Sequence, residues 1–186
     1  MTAVFAGSLL GQKVERPDFT GIWLLNLKKS DSPMTKLYRG KLEKMERFAS
    51  RLEINHKDPT IKLTETFMAE ELDNSKNVIG TRAIGRISTV YNSDGKGETN
   101  KLDGRRDWGS KTEWKGNTIF VDRADLNAPI NRTTLEFSLS KDGNELRITE
   151  KTFQKLPAVG FRENEIPSMG GKSIYIRYQP AVKVDK

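Results

Sequence analysis

A chain of 186 residues with 35% hydrophobic and 31% charged residues is one domain long, carries enough apolar mass for a core, and has no stretch that reads as a bilayer-spanning helix. The absence of Cys excludes disulfides, thiolate metal sites and Cys nucleophiles, and a single histidine, His56, excludes multi-His metal centres. The net charge of +7 would suit an anionic partner, yet Lys and Arg are interspersed with Asp and Glu along the whole chain, as on a solvated surface.

Residues 1–16 read as a separate N-terminal tail or signal-peptide remnant. Thr2 to Leu10 is small and apolar, Ala6-Gly7-Ser8 resembles a small-x-small cleavage site, and Gln12 to Arg16 turns polar, so export to a periplasm or medium is expected. Residues 17–186 read as a single domain. Its first strand is Gly21 to Leu27, apolar on both faces through Trp23, Leu25 and Leu27 and through Ile22 and Leu24. After a polar break at Lys28 to Pro33, Met34, Leu37, Tyr38, Leu42, Met45 and Phe48 recur at helical spacing, with Ser32 as N-cap and Pro33 in the first turn. One short amphipathic helix is expected there, packed as a plug or flank.

Three hairpins follow one plan, with apolar residues alternating on both sides of a turn rich in Asp, Gly, Asn or Pro. Arg51–Asn55 turns at His56-Lys57-Asp58-Pro59 into Ile61–Phe67, Lys111–Trp114 turns at Lys115-Gly116-Asn117 into Thr118–Arg123, and Leu135–Leu139 turns at Ser140 to Asn144 into Glu145–Glu150. Between the first two lie a strand over Thr81 to Tyr91, a loop over Asn92 to Gly97, a short strand from Glu98 to Leu102 and a strand from Trp108 to Trp114. Beyond Phe153 the spacing predicts a long Pro- and Gly-bearing loop, Leu156 to Gly171, and a final strand, Ser173 to Gln179. About nine short strands with no helices alternating between them indicate an all-β fold. An antiparallel up-and-down β-barrel of roughly eight to ten strands removes the exposed edges that consecutive hairpins otherwise leave.

Asp18-Phe19 followed by Gly21-Ile22-Trp23 resembles the Gly-x-Trp motif of the lipocalin and wider calycin barrels. More of the chain resembles a group of small, mostly uncharacterised bacterial lipocalin-like proteins that are typically exported. The marks are Asp18 to Asn26 with Lys29-Ser30, Ile54 to Pro59, Asp94-Gly95-Lys96, Thr99-Asn100, Trp114 to Asn117 and Leu139 to Leu146. Most of these are turn residues, so the resemblance implies a scaffold and carries no catalytic residues with it.

Barrel interiors are filled by alternate residues, so polar residues in the apolar register are the informative ones. Glu65 falls in register with Leu63 and Phe67, Arg123 with Ile119 and Val121, and Glu150 with Leu146 and Ile148, while Arg82 and Arg86 flank Ile84 at period two. This set either pairs internally or holds a polar ligand group. Among the large aromatics Trp23, Trp108, Trp114, Phe120 and Phe137, core or barrel-end plugging competes with stacking on a flat ligand. The candidate ligand-binding residues are therefore Glu65, Arg82, Arg86, Trp108, Arg123 and Glu150.

His56 reads as a solvated or capping turn residue, and Asp94 and Asp142 as members of Asp-Gly turns. No catalytic residue, metal site or cofactor is expected. The function expected is binding of a small, partly apolar ligand without catalysis. The alternatives are an enzyme using a pocket carboxylate for proton transfer, and polyanion or nucleic-acid binding through the basic surface.

Overall fold

A computed structural model describes residues 16–26, 28–31, 46–75, 77–101, 107–127, 131–155 and 165–179, and every regular element among them is a strand. These are β1 (Gly21–Leu25), β2 (Glu46–Lys57), β3 (Thr60–Leu72), β4 (Val78–Asn92), β5 (Glu98–Lys101), β6 (Asp107–Lys115), β7 (Thr118–Asp125), β8 (Asn131–Leu139), β9 (Glu145–Lys155) and β10 (Glu165–Arg177). They form one antiparallel ten-stranded sheet in the order β4-β3-β2-β1-β10-β9-β8-β7-β6-β5. The first strand pairs with both β2 and the last strand, so β1 and β10 meet in mid-sheet.

The edges left at β4 and β5 face each other, and side chains join them. Asn100 imitates a strand there: its Oδ1 accepts from the Val90 amide at 2.7 Å and its Nδ2 donates to the Val90 carbonyl at 2.8 Å. Glu98 adds a second tie, accepting from the Asn92 amide at 3.1 Å and from the Ser110 and Thr112 hydroxyls at 2.8 and 2.9 Å. The sheet thereby curls into an up-and-down barrel whose last edge is satisfied by polar side chains rather than by a backbone ladder.

One end of the barrel is plugged. Trp23 is wholly buried and donates its indole N–H to the Phe19 carbonyl at 3.1 Å, so its polar atom is satisfied inside the core. The Arg177 guanidinium lies 4.3 Å from the Trp23 ring centroid and donates to the carbonyls of Thr20 (2.8 Å) and Gly143 (2.9 Å). Above it the core continues through Leu52, Ile54, Ile61, Leu63, Ile119, Val121, Phe137 and Leu146. β1 ends where Asn26 accepts from the Lys28 and Lys29 amides, and Ser30, buried, accepts from the Ile174 amide at 2.8 Å.

Several expectations need correction. The helix over residues 34–48 falls at 34–45 outside the described residues, and its end, 46–48, belongs to β2, where it pairs with β3. The loop expected over 156–171 is strand from Glu165 onward. Its Pro and Gly had the look of loop chemistry, but the β9–β10 register shifts between Pro167 and Met169, a bulge that accommodates the proline, and Gly170 lets the strands approach closely. A Cβ on Gly170 would lie 3.0 Å from the Glu150 carbonyl oxygen. The outer face of β1 is not covered either, since Leu24 is 41% exposed. The N-terminal tail expected over 1–16 lies outside the described residues apart from Arg16.

Candidate functional site

Inward residues of the strands, away from the Trp23 plug, enclose a cavity of about 280 Å³. Much of its wall is apolar: Leu25, Leu52, Leu63, Phe67, Ile87, Leu135, Phe137 and Ile148. The polar part comes from Glu65, Thr89, Arg123, Glu150, Ser173 and the two tyrosines Tyr91 and Tyr175. Cross-strand partners share a face, which is why single residues of β3, β7, β9 and β10 converge here although they are far apart in sequence.

Glu65 is held by two hydroxyls. Ser50 donates to its Oε1, and Tyr175 donates to the same atom at 3.2 Å. Burial pushes the Glu65 carboxyl above the usual glutamate range, and the nearby Glu150 adds to this; the two hydroxyl donors and Arg123 oppose it without prevailing. Arg123 faces Glu150 at 3.6 Å and its guanidinium carbon lies 5.4 Å from the Trp108 ring centroid. The Arg123 Nε is buried without a partner. Trp108 thus backs the arginine and is not part of the cavity wall.

Arg82 and Arg86 do not join this group. Arg86 pairs in register with Thr66, on the outer face of the sheet, and points its guanidinium toward Glu53. Arg82 lies beyond a register shift between Phe67 and Met68, where Ile84 is the extra residue, and it is exposed beside Glu71. Arg86 stands next to the cavity-lining Ile87 and so on the opposite face, whereas the extra residue Ile84 returns Arg82 to the inner face, opposite the buried Ala69, but beyond the cavity wall, so the period-two count that grouped the two arginines fails at the bulge.

His56 is also placed differently from expectation. It is the penultimate residue of β2, its side chain is only 6% exposed, and its ring packs between Phe19 and Trp114 with centroids 5.9 and 5.8 Å away. The Asp58 carboxylate beside it accepts from the Ser93 hydroxyl, the Trp114 indole and Arg16, at 2.8, 3.2 and 2.7 Å. Its partial burial works against ionisation, but these donors outweigh it and hold the carboxyl below the usual aspartate range. The plugged end is therefore an aromatic and ion-pair cap, remote from the cavity chemistry.

Ser50, Tyr175 and Ser173 escaped the sequence reading. Tyr175 and Ser173 alternate with Ile174 on β10, so the inward register of that strand was a usable signal. Ser50 stands two residues before Leu52 in the same alternation, but it precedes Arg51, where that strand was expected to begin.

No protein-family model matches the chain, and no curated protein matches it in sequence. Solved structures do resemble it. Fatty-acid-binding protein 1 of Echinococcus granulosus superposes with a TM-score of 0.51 at 13% identity, over 87% of this chain and 98% of that one. Secretory abundant heat soluble protein 4 of Ramazzottius varieornatus gives 0.53 at 13% identity, over 90% and 99%. Lipid binding protein 8 of Caenorhabditis elegans gives 0.54 at 9% identity, over 90% and 100%. The fold, an antiparallel up-and-down β-barrel, is the one these proteins have. At such low identity the likeness is one of fold.

Proposed function

We propose that this barrel binds a small, partly apolar ligand in its cavity and does not transform it. The observation that carries the reading is the cavity of about 280 Å³, walled by aliphatic and aromatic side chains with its charged groups gathered among Glu65, Arg123 and Glu150. Sites for small molecules have this make-up, an apolar envelope with a few convergent polar groups that fix orientation. Two of the structural neighbours are named for binding fatty acids or lipids, which supports an apolar cargo for this barrel too.

A second reading has one observation in its favour. Glu65 keeps its proton above the usual range and lies in a cavity with Arg123, an arrangement that suits proton transfer to or from a bound molecule. Native mass spectrometry of protein purified from its own host decides between them. The binding reading expects a retained small molecule that is released unchanged on denaturation and is lost from an Ile148→Phe variant, whose larger side chain occupies the cavity. Conversion of the released molecule on return to the protein would favour the proton-transfer reading. A bare chain that also fails to take up medium-chain amphiphiles would remove both.

A further inference from the structure

The charge balance of the cavity narrows the class of ligand. Of the described side chains that line it, two are carboxylates, Glu65 and Glu150, and one is cationic, Arg123. That cation already faces Glu150 at 3.6 Å, and its buried Nε exposes almost no surface to a ligand. The other strong donors, the hydroxyls of Ser50 and Tyr175, are both directed at Glu65. A ligand carboxylate entering here would bring a further acid group beside Glu65 and Glu150, with Arg123 already facing one of them, and like charges at such range are costly. A hydrogen-bond-donating cation meets the opposite situation, because what the cavity offers is carboxylate oxygen.

Resting on the ligand-binding reading above, we infer that the cavity selects an amphiphile with an amine head group, its apolar chain on the aliphatic wall and its ammonium at Glu65. Burial raises the Glu65 carboxyl above the usual glutamate range. An ammonium at that position supplies a counter-charge that lowers the carboxyl again and so favours its ionised form. The groups that bear on Glu65 are Glu150 on β9, Arg123 on β7 and Tyr175 on β10. Tyr91 on β4 lines the same cavity, and from β2 come Leu52 and the non-ionising Ser50.

Isothermal titration calorimetry of the full chain with decylamine, decanol and sodium decanoate, at neutral pH and in two buffers of different ionisation enthalpy, tests this. The expected order is amine, then alcohol, then acid, with the amine bound at least about tenfold more tightly than the acid and with any proton exchanged on binding of the amine being released, not taken up. Glu65→Gln should erase the preference of amine over alcohol, and Glu150→Gln, by freeing Arg123, should strengthen binding of the acid. Alcohol or acid binding as tightly as the amine overturns the amine assignment while leaving the ligand-binding reading intact. If none of the three binds, or if all bind undiminished to Ile148→Phe and to Leu135→Phe, the cavity reading itself fails. Circular dichroism of each variant confirms that it retains the sheet before it is titrated.

Discussion

Gly21 has φ of 150°, in a region that side-chain-bearing residues seldom enter, and a Cβ there would come within 3.0 Å of the Arg177 Nη1. The absence of a side chain lets that guanidinium reach the Thr20 carbonyl and lie over Trp23. Glycine, tryptophan and a distant arginine therefore form one unit. Arg177→Met, which keeps the apolar stem but loses the cation and two charge-assisted hydrogen bonds, should destabilise the fold by about 2 to 4 kcal/mol in urea denaturation. A cost below about 0.5 kcal/mol would mean that the arginine merely rests on the plug. The Gly-x-Trp half of this unit was legible in the sequence because its two residues are separated by one position and are distinctive. The arginine was not, since nothing local marks a charged residue near the end of the last strand as the partner of a tryptophan in the first.

Glu65 makes a prediction of opposite kind. Its carboxyl in the folded chain titrates above the ordinary value of 4.5, because burial penalises the charge. At a pH below that value it is protonated in both states and costs nothing. As pH rises through the ordinary range the unfolded chain releases its proton first, so stability falls with pH until the folded-state carboxyl also ionises. Glu65→Gln removes this loss. The stability of the variant relative to the parent should rise as pH is raised from about 4 and level off once the folded-state carboxyl ionises, measured by urea denaturation between about pH 4 and neutrality. A difference that does not change with pH would show that the carboxyl titrates alike in both states.

Among the elements, the β4–β5 seam is where the barrel depends least on backbone pairing. Asn100 is buried and spends its amide on both backbone groups of Val90, a bond pattern that a strand partner would normally make. Asn100→Ala should cost about 1 to 2 kcal/mol and leave those two groups without their protein partner. Hydrogen exchange offers a specific readout. The Val90 amide should lose protection by more than about tenfold, while that of Leu135 on β8, which lies within fully paired strands, changes only as global stability does. Equal loss of protection at both positions would assign the effect to general destabilisation and not to the seam. The hairpins flanking this region were readable from alternation and turn chemistry. Gly116 and Gly143 sit in turns with φ of 60° and 70°, and Asp142 accepts from the Ser140 hydroxyl and the Asn144 amide, as a turn aspartate does. What misled the reading was punctuation inside strands. Pro167, Gly170 and Gly171 lie within β10, and a bulge at Ile84 breaks the period-two count that put Arg82 and Arg86 on one face. Both are tertiary accommodations, visible only once the partner strand is known.

At the scale of the whole molecule, the cavity sets stability against binding. Wall residues such as Ile148 and Leu135 face the cavity, so on that side they lack the side-chain contacts that a filled core would supply. A barrel built only to be stable would use that volume, as the packed half around Ile54, Ile119 and Leu146 does. Ile148→Phe directs a ring into the space and should raise stability by about 1 kcal/mol, provided that the added volume fits without strain. The same change should weaken uptake of a medium-chain amphiphile by more than about tenfold, since ligand and ring compete for one volume. Bound ligand in turn should raise the melting temperature of the parent chain in proportion to the logarithm of its concentration, and should do so far less in the variant. Thermal melts with and without decylamine measure both effects together. A variant that is destabilised yet still shows the full ligand-induced shift would place the ligand elsewhere. Higher stability with the shift abolished would show that the unfilled interior is kept for a guest.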